Sequence, residues 1–268
     1  MENLDNPNEI FNQKHPQLRY YVINLPQCSD RKERLLHRLD YHKIIDKTKF
    51  ITGLDKNSPL LNWFEAGVIH PYTSTREEHA CFLSHIKALR AFVDDPDAKE
   101  AIILEDDAMF HNNFIKQLDY VLDWTSGVNL IMLCFLANTW EGTRKVTEEK
   151  IEDFPEFYTI GPKIFGAQGY WLSKDYAEVC LSRLDRPLRH ISEKFITSEL
   201  ITRLSGGYFV KPPLLIEEGV YSTLRKEKYL DIQRKYFDTF GIDNYTAAEP
   251  VEIKSIWKPI GFNPIDSN

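Results

Sequence analysis

Three consecutive carboxylates, Glu105, Asp106 and Asp107, interrupt an apolar run from Ala101 to Phe110, AIILEDDAMF. Ala101 to Leu104 read as a short buried strand, and apolar residues resume at Ala108. Acids at the end of a buried strand are costly, because like charges repel and desolvation opposes ionisation. A cation held there would remove both penalties. Hard divalent ions such as Mn²⁺ or Mg²⁺ favour carboxylate oxygen and keep positions open for phosphates. The alternative is a solvated turn whose acids cap the following helix.

A second group precedes it. Tyr20 to Leu25 (YYVINL) is aromatic and β-branched, ends at Pro26, and reads as a strand. Asp30 and Glu33 have capping-box spacing, so a helix is expected to start here, with Leu35, Leu36 and Leu39 inward. Arg31 and Arg34 then share one face of its first turn, where a strand, turn and helix N-terminus could cradle an anion. The competing reading is a solvated face with ordinary Arg–Glu pairs. A diphosphate held by metal and arginines would suit transfer of a group off a nucleotide. A carboxylate or histidine elsewhere could take the acceptor's proton. No phosphate loop of the GxxxxGKS/T kind, no GxSxG and no HExxH is present.

The elements that must position these groups follow from periodicity. Lys49 to Thr52 reads as a strand closed by Gly53 and followed by Asp55, and 57–72 as irregular. Glu77 to Asp94 is amphipathic, with Phe82, Ile86, Leu89 and Val93 as its stripe and Ser84, His85 and Lys87 off it. A helix over Asn112 to Trp124, a strand over Val128 to Leu136, and a flexible charged loop over 141–156 come next. Phe157 to Ile160 and Ile164 to Leu172 read as strands, separated by Gly161-Pro162. Ser173 caps a helix with Ala177, Cys180, Leu181 and Leu184 inward. A helix over Ser192 to Leu204 and short strands at Tyr208 to Val210 and Leu214 to Ile216 complete the pattern. Alternation of this kind predicts an α/β fold with a mostly parallel sheet and helices on both faces. Ligands in such sheets bind outside the carboxyl ends of the strands, where the acidic triplet lies.

Bulk properties bound the rest. The 268 residues suit one large domain over 19–220, with a loose leader at 1–18 and an extension at 221–268, packed on the domain or flexible. Net charge is −7 with no basic stripe, which argues against nucleic acid as a partner. The four cysteines are far apart and form no CxxC, as expected of buried free thiols in a reducing compartment. The polar, acidic start is unlike a signal peptide, and no apolar run reaches membrane-spanning length, so a soluble, cytoplasmic chain is expected.

Three blocks resemble glycosyltransferase family 25: VINLPQCSDRKER from Val22, EEHACFLSHIKALR from Glu77, and AIILEDDAMF. A later segment, FGAQGYWLSKDYAE from Phe165, adds to the likeness, which spans Tyr20 to Ile216. The family includes lipopolysaccharide and procollagen galactosyltransferases. The resemblance implies a GT-A type, Rossmann-like fold, a UDP-hexose donor (galactose or glucose), Mn²⁺ or Mg²⁺, and inversion by single displacement. The acceptor would be a hydroxyl of a glycan or a collagen-like hydroxylysine. It assigns the metal to Glu105 and Asp107, with Asp107 the direct ligand and Asp106 or Glu105 touching metal-bound water or the sugar. Asn24, Leu25, Arg31 and Arg34 would line the nucleotide and phosphate pocket, with Gly53 and Asp55 near base or ribose. Glu78, Ser84 and His85 match the helix block. Here Glu77 and Ala80 stand where the family has glycines. Glu199 is the first candidate base, with Glu193, Glu217 and Glu218 as rivals. Gln168, Tyr170 and Trp140 are candidates for sugar or acceptor contact, the aromatics alternatively being core. Two other functions compete, a nucleotidyltransferase and a catalytically silent sugar- or protein-binding domain on the same fold. Oligomer formation is left open.

Overall fold

The computed structural model describes residues 7–66, 75–137, 143–160, 164–182, 184, 207–218 and 239–249. In chain order the elements are α1 (Pro7–Lys14), β1 (Leu18–Asn24), α2 (Ser29–Tyr41), β2 (Thr48–Thr52), α3 (Pro59–Ala66), α4 (Arg76–Val93), β3 (Glu100–Glu105) and β4 (Ala108–Phe110). There follow α5 (Phe114–Asp123), β5 (Leu130–Met132), β6 (Leu136–Ala137), β7 (Glu156–Thr159), β8 (Ile164–Phe165), β9 (Gly169–Ser173), α6 (Lys174–Ser182), β10 (Tyr208–Lys211) and β11 (Leu215–Glu217). A 3-10 turn covers Ile242–Tyr245.

Seven strands form the central sheet in the order β2-β1-β3-β9-β5-β10-β7. β1 pairs in parallel with β2 and β3, and β10 with β5. β9 runs against both β3 and β5, and β7 against β10. All strands but β9 and β7 therefore share one direction, as the alternation of elements predicts. Helices cover both faces. Along β1 the period-2 alternation sends Tyr21 and Ile23 to one core with Phe82, Leu89 and Phe92 of α4 and Ala177 and Cys180 of α6. Tyr20 and Val22 go to the other, with Leu35 and Leu39 of α2, Phe114, Leu118 and Val121 of α5, and Phe11 of α1.

Several expectations are corrected. Residues 7–14, expected in a loose leader, form α1, whose Phe11 is buried in the second core. Pro59–Ala66, expected irregular, is helical. The strand expected over Val128 to Leu136 is split into β5 and β6, with β6 pairing with β8 outside the main sheet. The Asp30–Glu33 capping box does not form: Cys28 is the N-cap of α2 and makes no side-chain cap bond. The box occurs instead at α4, where Thr75 N–H donates to Glu78 (2.7 Å) and Glu78 N–H to Thr75 Oγ1 (3.2 Å). The buried face of α4 is also rotated, since Ser84 and His85 are buried while Ile86 and Val93 are only partly so. No described helix is long and apolar enough to cross a membrane.

The acidic turn leaves the central sheet at Glu105 and enters β4, which pairs antiparallel with β11. Glu105 N–H donates to Gln168 O (3.0 Å) and Glu218 N–H to Asp107 O (2.8 Å), so the turn is fastened to two distant segments. Gly169 permits this packing. A Cβ there would lie 2.2 Å from Leu215 Cδ1, and Leu215 is fully buried. Gly169→Ala is expected to cost about 1–3 kcal/mol in urea unfolding through overpacking against β11. A loss below about 0.5 kcal/mol would show that Leu215 can swing aside.

Candidate active site

A cavity of about 330 Å³ opens at the carboxyl ends of β1, β2 and β3. That size falls within the usual range of small-ligand pockets. Its walls are Ile23, Leu25 and Gln27 after β1, Leu54 to Asn57 after β2, the first half of α4, the acidic turn, Gln168 and Glu217. Chain connectivity explains the site: three parallel strands end together, and β9, running the opposite way, begins there.

The three acids have different surroundings. Asp106 is buried and fully engaged. Its Oδ1 faces Arg31 Nη2 at 3.2 Å, and Asn24 Nδ2 donates to its Oδ2 at 2.7 Å. Asp107 is buried too. Arg31 Nη1 donates to its Oδ2 at 3.3 Å, while Oδ1 has no hydrogen-bond partner among the described residues. Burial pushes the Asp107 carboxyl well above the ordinary range, Glu217 and Glu105 push it further, and Arg31 only partly opposes them. Glu105 is half-buried, and its Oε1 faces His85 Nε2 at 3.2 Å.

The other candidate residues divide into those on the cavity and those behind it. Leu25, Arg31, Asp55, Ser84, His85 and Gln168 line it with the three acids. Ser84 Oγ accepts from Leu54 N–H (2.8 Å) and donates to Ala80 O (2.7 Å), so it shapes the loop after β2. Gln168 Nε2 donates to Glu217 Oε2 at 3.3 Å. Asn24 lies behind the wall, holding Asp106 and Cys28 O. Gly53 also stands behind it, against Leu25 and Ile23. Arg34 points away from the cavity to Glu218 (2.9 Å) and Asp30 (3.3 Å), which removes it from the proposed phosphate cradle. Tyr170 is corrected from sugar contact to core: it is 2% exposed, stacks on His85, and its hydroxyl meets Nδ1 at 3.1 Å. Trp140, Glu193 and Glu199 lie outside the described residues.

Of the rival bases, Glu218 is buried between Arg34 and Arg38, whereas Glu217 lines the cavity. By sequence Glu217 is only a rival base, with nothing in its spacing to join it to the acidic turn. Its single local signal is an acidic pair ending a short apolar run. Cys81 was also missed; its signal is the four-residue spacing to His85, which puts both on one face of α4.

The family model for glycosyltransferase family 25 (LPS biosynthesis protein) matches residues 17–191. Procollagen galactosyltransferase 2 of Homo sapiens is 29% identical over 113 residues, which is 38% of this chain and 18% of that protein. The Mus musculus protein of the same name is 31% identical over 108 residues, 37% of this chain and 17% of that one. The match thus spans less than a fifth of either relative's length. Among solved structures, a glycosyltransferase involved in glycosylation of the major capsid of PBCV-1 is 11% identical, with a TM-score of 0.44, over 84% of this chain and all of that one. The family match covers more than half of this chain and takes in the acidic turn and the α4 wall, and the chain therefore belongs to glycosyltransferase family 25.

Proposed function

We propose that this chain moves a hexose, galactose in the first instance, from a UDP-sugar to a hydroxyl acceptor with inversion at the anomeric carbon, aided by Mn²⁺ or Mg²⁺. The observation that carries the reading is the buried Asp107 Oδ1, without a hydrogen-bond partner among the described residues, in a crowd of carboxylates beside the cavity. An all-carboxylate donor set fits a hard divalent ion. Asp107 and Glu217 are the residues that would hold it, with Glu105 in reach of its water or of the sugar. Bound there, the cation supplies positive charge for the departing diphosphate.

The chain's own groups then have separate duties. Arg31 braces Asp106 and Asp107 and keeps a cationic group on the cavity wall. Asn24 fixes Asp106, and through it the bend that presents Asp107. Leu25 and Asp55 border the space suited to the nucleoside, and Gln168 orients Glu217. Glu217 is a poor base for this reaction. A single displacement needs its base across the anomeric carbon from the leaving diphosphate, whereas Glu217 crowds the proposed cation ligand. Glu199 therefore stays the candidate base. The relatives' name, procollagen galactosyltransferase, and the family's description, LPS biosynthesis protein, make a collagen-like hydroxylysine and a lipopolysaccharide glycan the two acceptors to try.

A panel of UDP-hexoses, incubated with Mn²⁺ and either hydroxylysine-containing peptide or lipopolysaccharide core, tests this. The expected result is Mn²⁺-dependent release of UDP with one donor, increased by one acceptor. Pyrophosphate release from UTP and a hexose 1-phosphate, with no UDP released from any UDP-hexose, would instead indicate nucleotidyl transfer. UDP binding without turnover of any donor would indicate a silent binding domain.

A further inference from the structure

The α4 wall of the cavity, together with Glu105 of the acidic turn, carries a second set of ligand-type side chains. Cys81 and His85 are four residues apart on α4, and Glu105 faces them from the end of β3. Their ligand atoms all lie within 4.8 Å of one another. His85 Nε2 is 3.2 Å from Glu105 Oε1, and Cys81 Sγ is 3.9 Å from the same oxygen. Tetrahedral zinc, with bonds of about 2.0–2.3 Å to N, O and S, needs its ligand atoms about 3.3–3.6 Å apart. The set therefore needs only small side-chain movement to close on an ion.

The supporting contacts also suit a metal. His85 is fully buried, and its Nδ1 is 3.1 Å from the Tyr170 hydroxyl. With the proton on Nδ1, donated to that oxygen, Nε2 turns its lone pair toward Cys81 and Glu105. Tyr170 is itself buried and stacked on the ring, so the ring orientation is fixed. All three side chains line the cavity, so a fourth position would open to it. The donor set is unlike that around Asp107: sulfur and imidazole favour Zn²⁺ and similar borderline-soft ions, carboxylates alone favour Mn²⁺ and Mg²⁺.

We propose that Cys81, His85 and Glu105 form a second cation site, specific for thiophilic divalent ions of the Zn²⁺ class. On binding, the thiol proton leaves to solvent as the metal–sulfur bond forms. An ion there takes Glu105 away from the acidic rim. The site stands on its own ligand chemistry and holds whether or not the chain transfers hexose.

Cobalt titration of the reduced full chain reads the site directly. One equivalent of Co²⁺ is expected to give a thiolate-to-cobalt charge-transfer band in the near ultraviolet. Stoichiometric Zn²⁺ should remove the band by displacement, and roughly hundredfold Mn²⁺ should not. Cys81→Ser should abolish it. A measurement on the unmutated chain guards against a misfolded variant. Cys81 is half-buried while the other three cysteines are buried, so Zn²⁺ should slow carboxamidomethylation of Cys81 about tenfold or more, as read by peptide mass spectrometry. Absence of the band at saturating Co²⁺, its persistence in Cys81→Ser, or an unchanged Cys81 alkylation rate would each overturn the proposal.

Discussion

Arg38→Met is expected to cost the fold about 3–5 kcal/mol, measured as a fall in the urea midpoint. Arg38 is 1% exposed and lies on the same side of α2 as Arg31 and Arg34. Its Nε donates to Glu249, Nη1 donates to Ala108 O at 3.1 Å, and Nη1 and Nη2 reach Glu218 Oε2 at 3.3 and 3.2 Å. Methionine would fill much of the volume and leave two buried carboxylates facing one another. Glu218 would keep Arg34, but Glu249 would lose its guanidinium partner. The damage should not stay local. Glu218 N–H holds Asp107 O, and β11 pairs with β4, so loosening Glu218 loosens the strand that carries Glu217. Replacing both acids as well, by Glu218→Leu and Glu249→Met, should recover most of the loss, because an apolar group can stand in for a buried ion cluster. A single-mutant cost under about 1 kcal/mol would mean that water already solvates the cluster.

Asp107→Asn should separate stability from function in opposite directions. Transfer is expected to fall about 10²- to 10³-fold, the scale of removing one electrostatic stabiliser from a site. In chelator, however, the variant should melt higher than the parent. The carboxyl is raised in the fold by burial, Glu217 and Glu105, so its favourable contribution exists below its unfolded pKa of about 3.9 and is lost as pH rises through the raised folded value. At neutral pH without cation the ionised form is therefore a liability. The amide removes the charge, and Arg31 keeps Asp106 as a partner. A gain of about 1 kcal/mol corresponds to about 2–4 °C for a chain of this size. The parent's metal-free melting temperature should fall between acidic and neutral pH by more than the variant's. Thermal melts in chelator and in Mn²⁺ with UDP check both halves. A variant that melts lower in chelator and still gains from Mn²⁺ would sink the assignment of Asp107.

The acidic turn was legible because its signal is local. Four apolar residues followed by three acids can be read without knowing what lies across from them. The same holds for β1, for α4 as a helix, and for the alternation that predicts a sheet covered on both faces. The glycosyltransferase family resemblance rests on ordered motifs in the same way. Spacing could not distinguish Arg31 from Arg34. Both sit in the first turns of α2, but a small rotation sends one to Asp106 and Asp107 and the other to Glu218. Nor could it rotate α4 correctly. The apolar count favoured Ile86 and Val93, while the site side of the helix buries Ser84 and His85, whose polar groups are met by Leu54 N–H, Tyr170 and Glu105.

The amino-acid sequence alone thus determined β1, the helix α4, the alternation of elements, the acid cluster at a strand end and the family, because hydrophobic period and contiguous motifs act between near neighbours. Which carboxylate keeps an oxygen with no hydrogen-bond partner among the described residues is a tertiary matter, at a turn whose backbone is fastened to β11 more than a hundred residues further on. The same fold decided that Glu217 joins Asp107, that Tyr170 is core, and that Cys81 meets His85 and Glu105. These are matters of register and rotation between distant segments, set by packing and by the hydrogen bonds buried groups must find. No local spacing contains them.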